Sequence, residues 1–179
     1  MNLRSVRAVA LAAALAAPAA SQVTSVRTLL AAGDVLPPGV TVDSVLDVSI
    51  SDGGSWAARV MIQGQTAAVV DGRVALRRGD TIGGESLEEV EFIRLTNDGR
   101  LAAIVETALP GGGSADRFIV DSQVVLGSGD TVPGSSPGTT LDLAELFEFA
   151  LEDQQFVLVG RTVQPGLNLN VLLEGRLGG

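Results

Sequence analysis

The chain has 179 residues, with 12 arginines, 21 acidic residues and no lysine, histidine, cysteine or tyrosine. These absences remove the usual general base, the thiol and amine nucleophiles, and the preferred ligands of zinc and copper. The net charge of −9 argues against binding to nucleic acid or to anionic membrane surfaces, both of which attract basic proteins. We therefore expect a protein that is not an enzyme.

Residues 1–21 predict a secretory signal peptide. Arg4 and Arg7 precede an apolar run over residues 8–17, and small residues follow it, which is the order typical of such peptides. The run is shorter than the roughly 20 apolar residues that span a bilayer. We expect a secreted or periplasmic protein that begins near Gln22 and inserts into no membrane after cleavage. That mature part has 10 arginines against 21 acids, a net charge of −11.

A Gly-Asp loop returns three times along the mature chain, at intervals of 46 and 50 residues. A fixed period of this length is the signature of a repeat architecture. We therefore predict a single β-repeat domain over residues 22–179, with units of approximately 34–79, 80–129 and 130–179. The three loops are Gly33-Asp34-Val35-Leu36-Pro37-Pro38-Gly39, Gly79-Asp80-Thr81-Ile82-Gly83-Gly84 and Gly129-Asp130-Thr131-Val132-Pro133-Gly134.

Each unit predicts four short strands. Turn signals such as Asn97-Asp98-Gly99 separate them, because Asn and Gly tolerate the positive φ of hairpin turns. This spacing predicts antiparallel strands rather than alternating strands and helices. Residues 141–152 contain good helix formers, but Phe147, Phe149 and Leu151 alternate with other residues, which favours a strand.

The two ends of the domain complement each other. The third unit ends at a predicted turn, Glu174-Gly175, and lacks the strand that should follow. Residues 26–32 predict a strand that stands alone before the first Gly-Asp loop. We expect this N-terminal strand to complete the last unit, because an unpaired edge strand invites aggregation.

Gly-Asp-x-x-Pro-Gly loops alternate with Asn-Asp-Gly turns and small apolar strands over nearly the whole mature chain. The best example of turn and strand is Asn97-Asp98-Gly99-Arg100-Leu101-Ala102-Ala103. This pattern resembles the secreted bacterial choice-of-anchor tandem-repeat proteins, which have an NxxGxxAF-type repeat. The resemblance implies propeller-like β blades and export, and it assigns no activity to any residue.

The number of units leaves the closure of the domain open. Three blades are fewer than the four to eight of an ordinary propeller. Two chains could form a homodimeric ring of six blades, in which each N-terminal strand completes the partner's last blade. One chain could instead close as a threefold β-trefoil-like barrel or remain an open half-propeller. The family resemblance favours propeller-like blades.

Asp34, Asp80 and Asp130 are the best candidates for a specific site. They occupy equivalent places, so a symmetric closure would gather them at one end of the fold, where carboxylate oxygens could bind Ca²⁺. Alternatively, each carboxylate accepts hydrogen bonds from backbone amides of its own loop, a common use of Asp in turns.

Three functions follow from these residues. The first is an exported, non-enzymatic binding or structural module whose ligand the sequence does not identify. The second is a Ca²⁺-binding module built on the Gly-Asp loops, and the third is a hydrolase that uses paired carboxylates. The acid clusters are predicted to be solvated strand faces, and Trp56 a core residue. The clusters are Glu88, Glu89 and Glu91, and Glu145, Glu148, Glu152 and Asp153.

Overall fold

The computed structural model describes residues 27–132, 134–143, 148–152, 155–164 and 167–177. These residues form strands, turns and loops without any helix, so the predicted all-β fold is confirmed. No helix among them could therefore cross a membrane. The predicted signal peptide lies outside the described residues.

Fifteen strands are assigned within the described residues. Most are short, as the turn spacing predicts. Their bounds in chain order are β1 Val35–Leu36, β2 Val40–Thr41, β3 Ser44–Ile50, β4 Trp56–Ile62, β5 Gln65–Val70, β6 Arg73–Arg77, β7 Thr81–Ile82, β8 Glu85–Leu95, β9 Leu101–Ala108, β10 Ser114–Val120, β11 Gln123–Gly127, β12 Thr140–Asp142, β13 Glu148–Glu152, β14 Gln155–Gln164 and β15 Leu167–Arg176.

The strands form a short ribbon, β1-β2, and three antiparallel sheets, one from each predicted unit. Sheet I has the order β3-β4-β5-β6, and sheet II has the order β7-β8-β9-β10-β11. In sheet III, β14 lies between β15 on one side and both β12 and β13 on the other. One separate sheet per unit is the arrangement of propeller blades, whereas a closed barrel joins all its strands into one sheet.

Sheet II lies between sheets I and III and is covered on both faces. One buried cluster joins it to sheet I and a second joins it to sheet III. Alternate residues of β9 enter the two clusters: Ala103 and Val105 face sheet I, whereas Ala102 and Ile104 face sheet III. The start of β9 is therefore an uninterrupted buried run, as expected for a strand with apolar neighbours on both sides.

Side-chain hydroxyls also tie neighbouring sheets together. In each case a Ser or Thr of one sheet accepts a hydrogen bond from a backbone N–H of the next, which satisfies a buried or half-buried donor. The pairs are Leu95 N–H to Ser49 Oγ, Val90 N–H to Thr66 Oγ1 and Leu143 N–H to Ser128 Oγ, each with a donor–acceptor distance of 2.9 Å.

The strand predicted in the helix-forming segment 141–152 is confirmed where the segment is described. Residues 140–142 and 148–152 both pair with β14, and residues 144–147 lie outside the described residues. Here the alternation of apolar residues in the sequence was a better guide than helix propensity.

The predicted N-terminal strand is not formed in the part of residues 26–32 that the structure describes. Residues 27–32 have no strand pairing, and the first strand begins at Val35. The side chain of Leu30 instead packs against a buried cluster of sheet I. The edge that the segment was expected to pair with, β15, belongs to sheet III, whereas the segment is held at sheet I by the first Gly-Asp loop.

The predicted turn at Glu174-Gly175 is also wrong, because β15 runs through both residues to Arg176. Gly175 pairs with Phe156, and a Cβ atom on Gly175 would clash with the Phe156 ring. Glycine is needed there for space rather than for a turn. Leu173 packs on the cluster that joins sheets II and III, and it corresponds to Val69 in the cluster of sheet I.

The burial of Ile93 between sheets I and II makes it a sensitive test of this packing. Ile93 is fully buried in the cluster that joins the two sheets. We expect Ile93→Ala to lower the free energy of unfolding by about 2–5 kcal/mol, because the cavity persists. The control Val35→Ala, at a side chain that is 66% exposed, should cost under about 0.5 kcal/mol in the same denaturant titration. Equal effects at both sites would contradict the packing of sheets I and II.

Candidate functional site

The three Gly-Asp loops have the same hydrogen-bonded structure. In the second loop, Asp80 Oδ2 accepts the Arg77 N–H at 2.9 Å, while the Gly79 N–H and the Asp80 carbonyl bond to the backbone of Leu87, each at 2.8 Å. The first loop pairs Asp34 with Ala31 and Val42 in the same way, and the third pairs Asp130 with Gly127 and Leu141.

These bonds explain why the sequence repeats Gly followed by Asp. The glycine adopts φ near +90° in all three loops, a region that favours glycine, at Gly33, Gly79 and Gly129. The aspartate then accepts the amide three residues before it, which closes the turn. The loop clamps a buried aliphatic residue at the start of the next sheet, and this residue is Val42, Leu87 or Leu141.

The carboxylates of Asp34, Asp80 and Asp130 therefore accept hydrogen bonds from backbone amides of their own loops, which was the predicted alternative to calcium binding. Each carboxylate is engaged within its own loop, at one junction along the chain. In the part of the chain that the structure describes, no group of three or more acidic side chains is placed to hold a metal ion. Calcium binding by these residues stays a prediction.

A network of charged and polar side chains links three neighbouring strands of sheet II, β8, β9 and β10. Arg117 donates to both oxygens of Glu85, with Nη2–Oε1 and Nε–Oε2 distances of 2.9 and 3.0 Å, and the Thr107 hydroxyl donates to Oε2 at 2.6 Å. The bonds from Arg117 and Thr107 hold the pKa of Glu85 below its ordinary value. A Cβ on Gly127 would lie 2.7 Å from Arg117, so that glycine leaves room for the guanidinium. The network is a well-paired structural bridge across three strands.

A row of carboxylates crosses the same sheet. Glu106 of β9 lies opposite Glu89 of β8 and Asp116 of β10. Burial, reinforced by Asp116, Glu89 and Glu106, raises the pKa of Glu91 to about 7, although Arg59 opposes this. Burial and the charges of Glu106 and Asp142 also raise the pKa of Asp116.

The solvated face predicted for the first acid cluster holds for Glu89 but is wrong for Glu88 and Glu91, which are half-buried. Two irregularities in the pairing of β8 with β9, between Leu87 and Glu89 and between Val90 and Phe92, break the strict alternation of faces. Glu91 can therefore gain or lose a proton near neutral pH. The side chains of the second acid cluster lie outside the described residues.

The outer face of sheet I, on the side away from sheet II, carries an apolar groove. It has a volume of about 340 Å³, and residues 27–30 lie along one side of it. Val45, Val48 and Ile50 line it with 37%, 58% and 67% of their surfaces exposed, and half-buried Trp56 completes the wall. We call this surface the sheet I outer face.

The repeat shows what is unusual about this surface. Ile50 pairs with Trp56 in sheet I as Leu95 pairs with Leu101 in sheet II, so Ile50 and Leu95 are equivalent. Leu95 is only 8% exposed because sheet I covers it, whereas Ile50 is 67% exposed. The sheet I outer face is thus a repeat interface without its covering sheet.

Comparisons with protein-family models, with curated protein sequences and with solved structures found no match for this chain.

The backbone-binding role of Asp80 predicts a defined stability effect. We expect Asp80→Ala to lower the free energy of unfolding by about 1 kcal/mol, the value of one hydrogen bond to the backbone. The melting temperature should respond to millimolar calcium as it does in the wild type. Asp52→Ala, at an exposed hairpin turn, is the charge-matched control. A calcium-dependent rise in melting temperature that disappears only in Asp80→Ala would instead support the calcium site.

The raised pKa of Glu91 predicts that stability falls as the pH rises. The folded state holds the proton more tightly than the unfolded state, so this stability is present below about pH 4.5 and is lost as the pH passes through about 7. Asp116 contributes in the same direction. Glu91→Gln should flatten this slope and stabilise the protein at pH 8 by about 1 kcal/mol or more. Urea titrations at pH 5 and pH 8 measure the effect, with Asp52→Asn as the control for net charge. An unchanged slope in Glu91→Gln would contradict the assignment.

Proposed function

We propose that this chain is an exported, non-enzymatic β-repeat protein of the choice-of-anchor type that acts as a binding or structural module. Its working surface is the sheet I outer face. The observation that carries the proposal is the exposure of Val48 and Ile50 at positions whose equivalents in sheet II are buried. Large apolar side chains clustered on a surface mark an interaction site.

The arrangement of the charged groups supports the same proposal. The carboxylates of the Gly-Asp loops accept backbone amides, and Glu85 is held by Arg117 and Thr107. These groups stabilise the sheets, whereas the large apolar side chains of the sheet I outer face are exposed. Such a face binds by excluding water and requires no charged or chemically reactive partner.

The role of this surface can be tested with two matched substitutions. Val48 and Val35 are both exposed, at 58% and 66%, but only Val48 lines the groove. We expect Val48→Asp to reduce the fluorescence of bound anilinonaphthalene sulfonate several-fold at dilute protein, because a carboxylate in an apolar groove opposes binding of the dye. Val35→Asp should leave the signal unchanged.

Thermal melting of both variants provides the control for folding, since neither site is buried. A Val48→Asp variant that is folded and binds the dye like the wild type would exclude the sheet I outer face as a binding surface.

A further inference from the structure

The interfaces between successive sheets repeat in detail. In each interface, the sheet that comes first in the chain contributes a leucine four residues before the aspartate of a Gly-Asp loop: Leu76 of sheet I or Leu126 of sheet II. The following part of the chain contributes a residue two positions after that aspartate, Ile82 or Val132. The cluster on the outer face of sheet I contains Leu36 and Val42, which are equivalent to the residues of the following sheet in the other interfaces. Among the described residues, no preceding sheet covers this cluster, and the N-terminal segment packs against it.

The N-terminal segment occupies the place of a missing preceding strand. Leu30 comes four residues before Asp34 and packs on the sheet I cluster, so it is the equivalent of Leu76 and Leu126. In sheets I and II those leucines belong to the fourth strand, β6 or β11. In the described part of the chain, the segment around Leu30 thus lies where the fourth strand of a preceding sheet would lie, but the other strands of such a sheet are not present.

The opposite end of the array has the complementary surface. Val157, Val159 and Leu172 lie on the face of sheet III that points away from sheet II, since Val159 and Leu172 are directly opposed and the inner face is formed by Phe156 and Leu158. Leu172 corresponds to Phe118, which is fully buried because sheet III covers it, yet Leu172 is 70% exposed. We call this surface the sheet III outer face.

Sheet III also lacks a fourth strand among the described residues. In sheet I, β5 pairs with β6, and in sheet II, β10 pairs with β11. The equivalent strand of sheet III, β15, pairs only with β14 among the described strands. One edge of β15 therefore presents backbone donors and acceptors without a strand partner in the described chain. Within the described residues, a segment equivalent to a fourth strand therefore lies before sheet I without a sheet of its own, and sheet III has no fourth strand.

We propose that the sheet III outer face of one copy covers the sheet I outer face of a second copy, and the reverse, so that two chains close a ring of six sheets. In this ring, residues 27–32 of each copy pair with the β15 edge of its partner. The inference rests on the proposed function, because it uses the same apolar face and names its occupant. It extends an interface that the chain already forms twice internally, and six blades lie within the usual range for a closed propeller. Closure buries both apolar end faces and removes the open strand edges.

Two variants and their mixture test this arrangement. Light scattering on a sizing column should give the exported wild-type chain twice the mass of one chain. Val48→Asp removes one face and Leu172→Asp removes the other, so each variant alone should be monomeric, with its dissociation constant raised about tenfold or more by an unpaired carboxylate at the contact. An equimolar mixture should form a dimer, because the intact sheet III outer face of the first variant meets the intact sheet I outer face of the second. Val35→Asp is the control and should stay dimeric.

Several outcomes would overturn the inference. These are a monomeric wild type, a wild type that forms particles larger than a dimer, and a mixture that stays monomeric. A dimer of Leu172→Asp alone would show that the sheet I outer face meets another surface. If Val48→Asp loses dye binding while Leu172→Asp leaves the mass unchanged, the proposed function stands and the partner named here is wrong.

Discussion

The Gly-Asp loop is the interaction on which the rest of the structure depends. Its glycine turns the backbone into the left-handed region, and its aspartate closes the turn on an amide three residues earlier. Two further backbone bonds then fix a buried aliphatic residue at the start of the next sheet. Because all three loops share this geometry, successive sheets are set against each other in the same way, and their buried clusters contain equivalent residues.

A consequence of this regular arrangement is that each sheet has two different apolar faces. Sheet II buries both, so Ala102 and Ala103, adjacent in the chain, belong to different clusters. Sheet III leaves Leu172 exposed on its outer face. Sheet I leaves Val48 and Ile50 of β3 exposed on its outer face, although Val60 and Val69 on the same face are buried. The uncovered surfaces are therefore not irregular patches. They carry residues equivalent to those that form the interfaces between successive sheets within the chain, and the proposed binding function and the proposed ring both arise from this property.

Much of this fold could be predicted from the sequence, because turns and alternation are local properties. The Gly-Asp period located the three sheets, and alternation of Phe149 and Leu151 gave the correct strand in a helix-forming segment. The wrong predictions concern non-local contacts. Gly175 follows an acidic residue as a turn glycine often does, but the Phe156 ring lies opposite it in the sheet. Residues 27–32 have the composition of a strand, but their pairing depends on an edge that only the whole array defines.

The candidate site was harder to predict for the same reason. The hydrogen-bonding alternative for Asp80 follows from loop chemistry and could be stated from the sequence. The half-buried Glu91 could not, because its environment depends on breaks in the pairing of β8 with β9 and on carboxylates that are distant in sequence. Val48 is exposed because no further sheet covers it in the described chain, and a local sequence pattern cannot predict whether such a sheet is present.

The shared geometry of the loops also bears on how such chains can change length. Since each unit begins at a Gly-Asp loop and carries one covered and one covering face, a recombination event between Gly79 and Gly129 would delete or duplicate a whole sheet and leave both ends of the array chemically unchanged. Chains with different numbers of sheets can therefore arise in one genetic step without a new interface. Copy number, rather than side-chain chemistry, then decides whether an array closes on itself, closes with a partner or stays open.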